Sequence, residues 1–392
     1  MLPPEARLVL LTAGGEAATP ELQALCREPL DWGRVLTLAN IEKASAVLAR
    51  RLSTIPDLEL APAVRDRLRR QSMIAEFSQL HLEQRLKETI RLLRESGLPI
   101  VLLKGAGLVQ TAYGSFAERP MGDVDLLLPE EHAWTAQELL RANGWREEQV
   151  DTTSEFYADH HHLPPLEDAQ GSGLAVEVHR RLFTRDHPFG LTAARVRDEA
   201  LEISMNGVPV LVPTLPHQLM HVCLHFSWSH MLRGGTWRAF RDLDAIIATG
   251  RIDWDAFGAF ARSARARTCC YWPLRLAALL AHVDVPPEVL PALRPPGSAR
   301  LLDHLERHFI CGLLPNPATC PSVRLTRKLW EVAIRPGWSG HGKVRPWHFD
   351  ENFMRRSRLR SGRPPRRRRT PAQSGPSRHL AAWHAYLRVV MP

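Results

Sequence analysis

The segment Gly122-Asp123-Val124-Asp125-Leu126-Leu127-Leu128 sets two acids at alternating positions in an otherwise apolar run that Pro129 stops. On a strand, residues i and i+2 share a face, so Asp123 and Asp125 point the same way from an element suited to the inside of a sheet. Two carboxylates aimed together repel, and burying them is costly unless a cation or a proton neutralises the pair. A third acid, Glu177, stands in the same kind of setting, within Ala175-Val176-Glu177-Val178. Carboxylate oxygens suit Mg2+ (or Mn2+). Three carboxylates from two adjacent strands can hold two such ions, which clamp the attacking and leaving oxygens of an in-line phosphoryl displacement. The plainer alternative is that Asp123 opens a turn and Asp125 is a solvated strand-edge residue.

The surrounding pattern frames these acids. Residues 30–97 read as helical, with apolar positions at helical spacing through 36–48 and a long amphipathic run from Pro62 to Gly97. At Leu98 the period changes. Pro99-Ile100-Val101-Leu102-Leu103 is a buried-strand signal closed by Lys104-Gly105, and a short helix is expected over 106–113. A loop over 114–122, a strand over 124–128 and a helix over 130–143 ended by Gly144 follow. Further strands are expected near Phe156 and over 174–179, and Asn206-Gly207 marks a hairpin between 201–203 and 208–211. From Thr214 the chain turns helical again, with helices expected over 215–231, 237–248, 254–264 and 268–282. The division expected is a helical N-terminal region (1–97), an α/β core (98–212), a helical C-terminal region (213–350) and a disordered Arg-rich tail (351–392).

Composition matters mainly through its distribution. The formal charge of +9 suggests a polyanion partner, but eleven of the 51 basic residues, all Arg, lie in 352–392, where there is no acid. The remaining 40 basic residues face all 42 acidic ones, so the folded body is close to neutral and any nonspecific polyanion contact belongs to the tail. Between Arg355 and Arg369 no aromatic residue is available to stack bases. Cys26, Cys223, Cys269, Cys270, Cys311 and Cys320 form no C-x-x-C pair and read as reduced, buried thiols. With no signal peptide and no apolar run long enough to span a bilayer, the expectation is a soluble cytoplasmic protein without a membrane partner.

Taken in order, Leu102-Leu103-Lys104-Gly105, Tyr113, Arg119-Pro120-Met121-Gly122-Asp123-Val124-Asp125-Leu126-Leu127-Leu128, Val176-Glu177-Val178-His179 and Trp237-Arg238 with Asp242-Leu243 resemble an uncharacterised bacterial nucleotidyltransferase family of the polymerase-β superfamily. The resemblance covers about 98–250. It implies an α+β fold, a polymerase-β-like core of a small mixed sheet with flanking helices between helical N- and C-terminal regions. It also implies transfer of a nucleoside monophosphate from an NTP, such as ATP, to an acceptor. Asp123, Asp125 and Glu177 would be the catalytic and metal-binding residues, and Lys104, Gly105 and Arg119 would serve the nucleotide. The superfamily's Gly-Ser or Gly-Gly pair is Gly105-Ala106 here. A positive charge at Lys104 and the amides opening the helix still favour an anion. The acceptor, whether protein, peptide, RNA or small molecule, is not specified by these residues.

Other features are weighed against plainer accounts. His179 shares the face of Glu177 and could orient a phosphate or the acceptor, or serve as a hydrogen-bonded structural histidine. His160-His161-His162 reads as a polar loop rather than a metal cluster, because adjacent side chains do not easily converge. His217, His221 and His225 share a helix face but lack the glutamate of an H-E-x-x-H motif, so a packed face is expected. Asp242 follows Arg238 by four, the spacing of a helical ion pair. A non-catalytic nucleotide-binding or regulatory protein on the same scaffold is the alternative to an enzyme.

Overall fold

Among the described residues, the acid-bearing strand is the middle of a seven-stranded mixed sheet. The structure, a computed structural model, describes residues 2–147, 157–185, 187–315 and 323–334. Helices α1 (Pro4–Leu11), α2 (Thr19–Cys26), α3 (Trp32–Ile41), α4 (Ser45–Ser53) and the long α5 (Pro62–Glu95) precede the sheet. The sheet segment runs β1 (Val101–Leu102), α6 (Lys104–Thr111), β2 (Asp123–Leu127), α7 (Glu130–Ala142), β3 (Trp145–Glu147), β4 (Leu166–Asp168), β5 (Ala175–His179), α8 (Ala193–Asp198), β6 (Leu201–Met205) and β7 (Val208–Val212). It is followed by α9 (Leu215–Leu224) with a π turn at His225–Ser229, then α10 (Thr236–Ala248), α11 (Trp254–Ser263), α12 (Arg267–Ala281), α13 (Val289–Leu293), α14 (Ala299–Gly312) and α15 (Val323–Ile334). The fold is α+β: one mixed sheet with flanking helices.

Strand β2 pairs in parallel with β5 and antiparallel with β1, and β1 pairs in parallel with β7. Both faces of the sheet are covered, which is why β2 is almost continuously apolar. Val124 and Leu126 join one core with Leu82, Leu86 and Ile90 of α5 and Leu140 of α7. Val101, Leu103 and Leu127 join a second core, built from helices on both sides of the sheet segment in sequence, including Leu8, Leu219, Phe240 and Leu276. Alternation therefore turns Asp123 and Asp125 towards that second, helical layer.

Helix α5 begins with Pro62 at its first position and ends in a left-handed Gly97 (φ +73°). The Gly97 amide donates to the Arg94 carbonyl and the Leu98 amide to that of Leu93, a Schellman stop. Its buried face carries two polar clasps onto the sheet segment. The Gln79 amide both donates to the Met121 carbonyl and accepts from the Met121 amide, each at 3.1 Å, fixing the loop two residues before Asp123. Arg85 grips Asp168 of β4 with paired bonds of 3.0 and 2.9 Å.

The hairpin at Asn206-Gly207 forms with both residues left-handed, as a type I′ turn requires. Gly144, at φ +87°, ends α7. Other expectations shift. The helical pattern over 36–48 is two helices, because Lys43 takes a left-handed φ of +60° and breaks the chain between α3 and α4. Periodicity alone does not register such a break when no Gly or Pro marks it. Residues 4–11 form α1, within the span expected to be a helical N-terminal region. The strand expected near Phe156, the tail at 351–392 and Cys320 lie outside the described residues. Cys26, Cys223, Cys269, Cys270 and Cys311 are free and buried. Among the described residues no helix is long and apolar enough to cross a membrane.

Candidate active site

Register brings the acids together. Asp125 on β2 pairs with Glu177 on β5, Asp123 pairs with Ala175, and Leu127 pairs with His179. Residues opposite one another in a ladder share a face. Asp123, Asp125, Glu177 and His179 thus point into one space between the sheet and the helical layer.

The charges interlock there. Lys104 Nζ lies 2.6 Å from Asp125 Oδ1, and His179 Nε2 lies 2.8 Å from the same oxygen. His179 Nε2 is also 3.4 Å from Glu177 Oε2, and His179 Nδ1 is 3.3 Å from the Arg181 carbonyl. Burial alone would lower the His179 pKa, but the Asp125 and Glu177 carboxylates raise it above the ordinary value. Burial raises Asp125, yet Lys104 and His179 bring its carboxyl below the usual carboxylate range. Glu177 follows the same pattern: burial pushes it up, and His162, His179 and Lys104 hold it well down. For Asp123, burial and Asp125 push up, while Lys43, Arg238 and Lys104 pull it below its ordinary value. The acids are therefore anions at neutral pH, balanced by nearby cations.

Lys104 opens α6 in a left-handed conformation, φ +46°. A non-glycine residue held there costs about 1–2 kcal/mol and accumulates where function needs it. No side chain caps the helix, whose first turn reads Lys104-Gly105-Ala106-Gly107. A methyl group on Gly107 would stand 2.5 Å from the Leu102 carbonyl oxygen, and one on Gly105 3.2 Å from the Arg119 guanidinium. The glycines thus let the helix start sit hard against β1 and Arg119.

Arg119 does not pair with Glu118 among the bonds observed. Its Nε and Nη2 donate to Asp242 at 2.8 and 2.9 Å, and the Tyr113 hydroxyl donates to Asp242 Oδ1 at 2.7 Å. Burial would lower the guanidinium's pKa; Asp242 raises it. The residue expected to reach the nucleotide is turned instead onto α10, and the Asp242 partner is Arg119 rather than the Arg238 that helical spacing suggested.

The three adjacent histidines do converge, contrary to expectation. The rings of His160, His161 and His162 lie 3.9–4.8 Å apart, centroid to centroid. His161 and His162 each lie 5.2 Å from the His179 ring. The reason is a loop that folds back onto β5 rather than running extended: His162 bridges to His179, and the Arg180 and Arg181 amides both donate to the His161 carbonyl. Among the described residues, two sets of side chains have ligand atoms close enough to share a metal ion, namely Asp125 with Glu177 and His179, and the three histidines. Asp123 is in neither set, although it shares their face.

A family model described as an uncharacterised nucleotidyltransferase matches residues 28–282. The chain belongs to that family. The match reaches well beyond the sheet, from before α3 on one side to the end of α12 on the other, so the family's unit includes much of the helical layer that covers the acids. A search of curated proteins gave no match. Membership supports a general nucleotidyl-transfer role. The acid cluster here draws on residues that sequence reasoning missed. Lys43 stands where a methyl on Gly122 would lie 2.7 Å from its Nζ, and it joins Arg238 in lowering Asp123. The left-handed turn at Lys43 has no sequence signature, and Gln79 reads in sequence as one more polar helix residue.

His217 and His221 are buried on one face of α9, as expected for packing. His221 stacks edge-on against Phe183 at 5.6 Å, and its Nε2 has no hydrogen-bond partner. Burial, reinforced by Lys104 and His179, brings its pKa from 6.5 down to about 3. The unfolded chain takes up a proton near pH 6.5 that folded His221 refuses until about 3, so stability falls as pH drops through that window. At about 1.4 kcal/mol per pH unit the loss reaches at most about 5 kcal/mol. His221→Leu is expected to flatten the acid limb of Tm against pH. An unchanged limb in the variant would refute this assignment.

Proposed function

We propose that the chain transfers a nucleoside monophosphate from an NTP to a nucleophile on an acceptor and releases pyrophosphate, with Mg2+ or Mn2+ held by Asp123, Asp125 and Glu177. The observation that carries the reading is the parallel register of β2 and β5, which sets Asp125 beside Glu177 with Asp123 on the same face. The donors fit the ions. Three ionised carboxylates face one space, and oxygen ligands of this kind suit a hard divalent cation. Bound there, such ions neutralise phosphate charge and polarise the bond to be broken.

The rest falls to the chain's own side chains. Lys104 lies on Asp125 in the free protein and, from the start of α6, presents a cation to a phosphate. The uncapped amides of that helix are donors for phosphate oxygens. His179 holds Asp125 and Glu177 at a fixed separation, and Glu177 is placed to accept the acceptor's proton. Arg119 acts as a positioning residue, since its fork binds Asp242 and steadies the loop that leads to Asp123. Little further side-chain chemistry is needed, because phosphoryl transfer is catalysed by positioning and charge neutralisation.

One observation favours the non-catalytic alternative: the Lys104 ammonium already occupies Asp125 Oδ1. The two readings separate when the full chain is incubated with each α-labelled NTP, Mg2+ or Mn2+, and a cell extract as the source of acceptor. Label carried onto an acceptor supports transfer. Saturable NTP binding with no label transferred under any metal and base moves the conclusion to the binding protein.

A further inference from the structure

The histidine loop next to β5 has a construction that nucleotidyl transfer does not use. Arg180, itself 8% exposed, gathers the loop's carbonyls, with Nη2 donating to Tyr157 at 2.5 Å, to Ala158 at 2.7 Å and to His160 at 3.2 Å. The Arg180 and Arg181 amides add two bonds to the His161 carbonyl. The backbone that carries the three imidazoles is thereby fixed from inside.

Hydrogen bonding fixes the proton of one of the three rings. His162 Nδ1 lies 2.6 Å from the Leu163 carbonyl, an acceptor only, so this nitrogen carries the proton. The neutral ring's lone pair is on Nε2, which stands 3.7 Å from Glu177 Oε2. A cation joins that nitrogen to the carboxylate oxygen, a proton when His162 is charged and a metal ion when one is bound. His161 Nδ1 is buried with no hydrogen-bond partner, a second imidazole nitrogen with unused capacity. One ligand atom from each of His160, His161 and His162 lies within 4.8 Å of the other two.

We infer that His160, His161 and His162 form a binding site for one transition-metal ion of the Zn2+ class, beside the carboxylate site and distinct from it. Imidazole nitrogen selects Zn2+ and its neighbours over Mg2+, whereas the carboxylates favour the harder ion. The Nδ1–H bond of His162 to a backbone carbonyl is the orienting contact that metal-bound histidines characteristically make. Three imidazoles leave a fourth position, and Glu177 lies on that side, so the ion's charge falls next to the acid shared with the transfer site. The inference stands on the loop geometry and is independent of whether the chain transfers nucleotides.

The full chain, purified without a histidine tag and stripped with chelator, would be titrated with Co2+ and then Zn2+. Visible d–d absorption and elemental analysis report the bound ion. One equivalent is expected in the presence of a large excess of Mg2+, which fills the carboxylate site and leaves the Co2+ spectrum unchanged, with Zn2+ displacing Co2+. His161→Gln and His162→Gln should each weaken binding by at least about 100-fold, beyond the 10–100-fold typical of outer-shell partners. Asp123→Asn should bind as the parent does. Circular dichroism and Tm identify any variant that has not folded, and His161→Ala and His162→Ala provide a second pair. The inference is overturned if no ion binds, if folded His161 and His162 variants bind like the parent, or if Asp123→Asn abolishes binding.

Discussion

Asp125→Asn is expected to lower nucleotide transfer by about 10³-fold or more while the protein stays folded. Asn keeps the size and one acceptor oxygen for Lys104 and His179 but removes the charge that holds a divalent ion. Metal-ion stabilisation of a phosphoryl transition state is worth several kcal/mol, and each 1.4 kcal/mol is a factor of ten, so a loss of about 4 kcal/mol gives the stated factor. Stability moves far less. Asp123, Asp125 and Glu177 are anions gathered around Lys104 and His179, and with Asp125 neutral the remaining acids still face both cations. Relief of repulsion among the carboxylates offsets part of the lost pairing, so the Tm change should be a few degrees. The measurement is label transfer at saturating Mg2+, with NTP affinity determined alongside in the presence and absence of the ion. Transfer within tenfold of the parent, in a variant of parental Tm, would exclude Asp125 as a metal-binding catalytic residue.

The acids were legible because a two-residue period is a local property. Asp123 and Asp125 share a face whatever the rest of the chain does, and Glu177 reads the same way from its apolar neighbours. That Asp125 and Glu177 would stand opposite each other was not legible, since it depends on β5 joining β2 in parallel, 52 residues later in register. The cations were harder still. Lys104 reaches Asp125 across 21 positions, and Lys43 comes from a turn between two helices that periodicity merges into one. The convergence of His160-His161-His162 runs against local spacing for a specific reason. Adjacent side chains diverge on an extended strand, but here the loop folds back under Arg180, which reaches the His160 carbonyl from 20 positions away in the chain. Local spacing also named the wrong partner for Asp242: Arg238 has the helical interval, whereas Arg119, 123 positions off, has the geometry.

That last pair supports the other large effect. Asp242→Ala is expected to lower Tm by about 5 °C. Arg119 is 7% exposed and Asp242 4%, and their two bonds are joined by the Tyr113 hydroxyl. Removing the carboxylate leaves a buried guanidinium with no counter-charge at its fork, and breaking such a pair costs about 3–5 kcal/mol, which corresponds to a shift of this order. The penalty belongs to the orphaned charge more than to the lost attraction. Arg119→Met combined with Asp242→Leu should therefore melt well above Asp242→Ala, because neither charge remains to be buried. Activity should separate from stability in these variants. The clasp ties the loop before Asp123 to α10 and lays the guanidinium against Gly105 at the start of α6, so the double variant regains Tm yet transfers slowly, with the metal acids and the phosphate end no longer held in register. If Asp242→Ala melts within about 2 °C of the parent, or the two replacements simply add, the pair is no more than a surface-like contact and the loop is held by Gln79 alone.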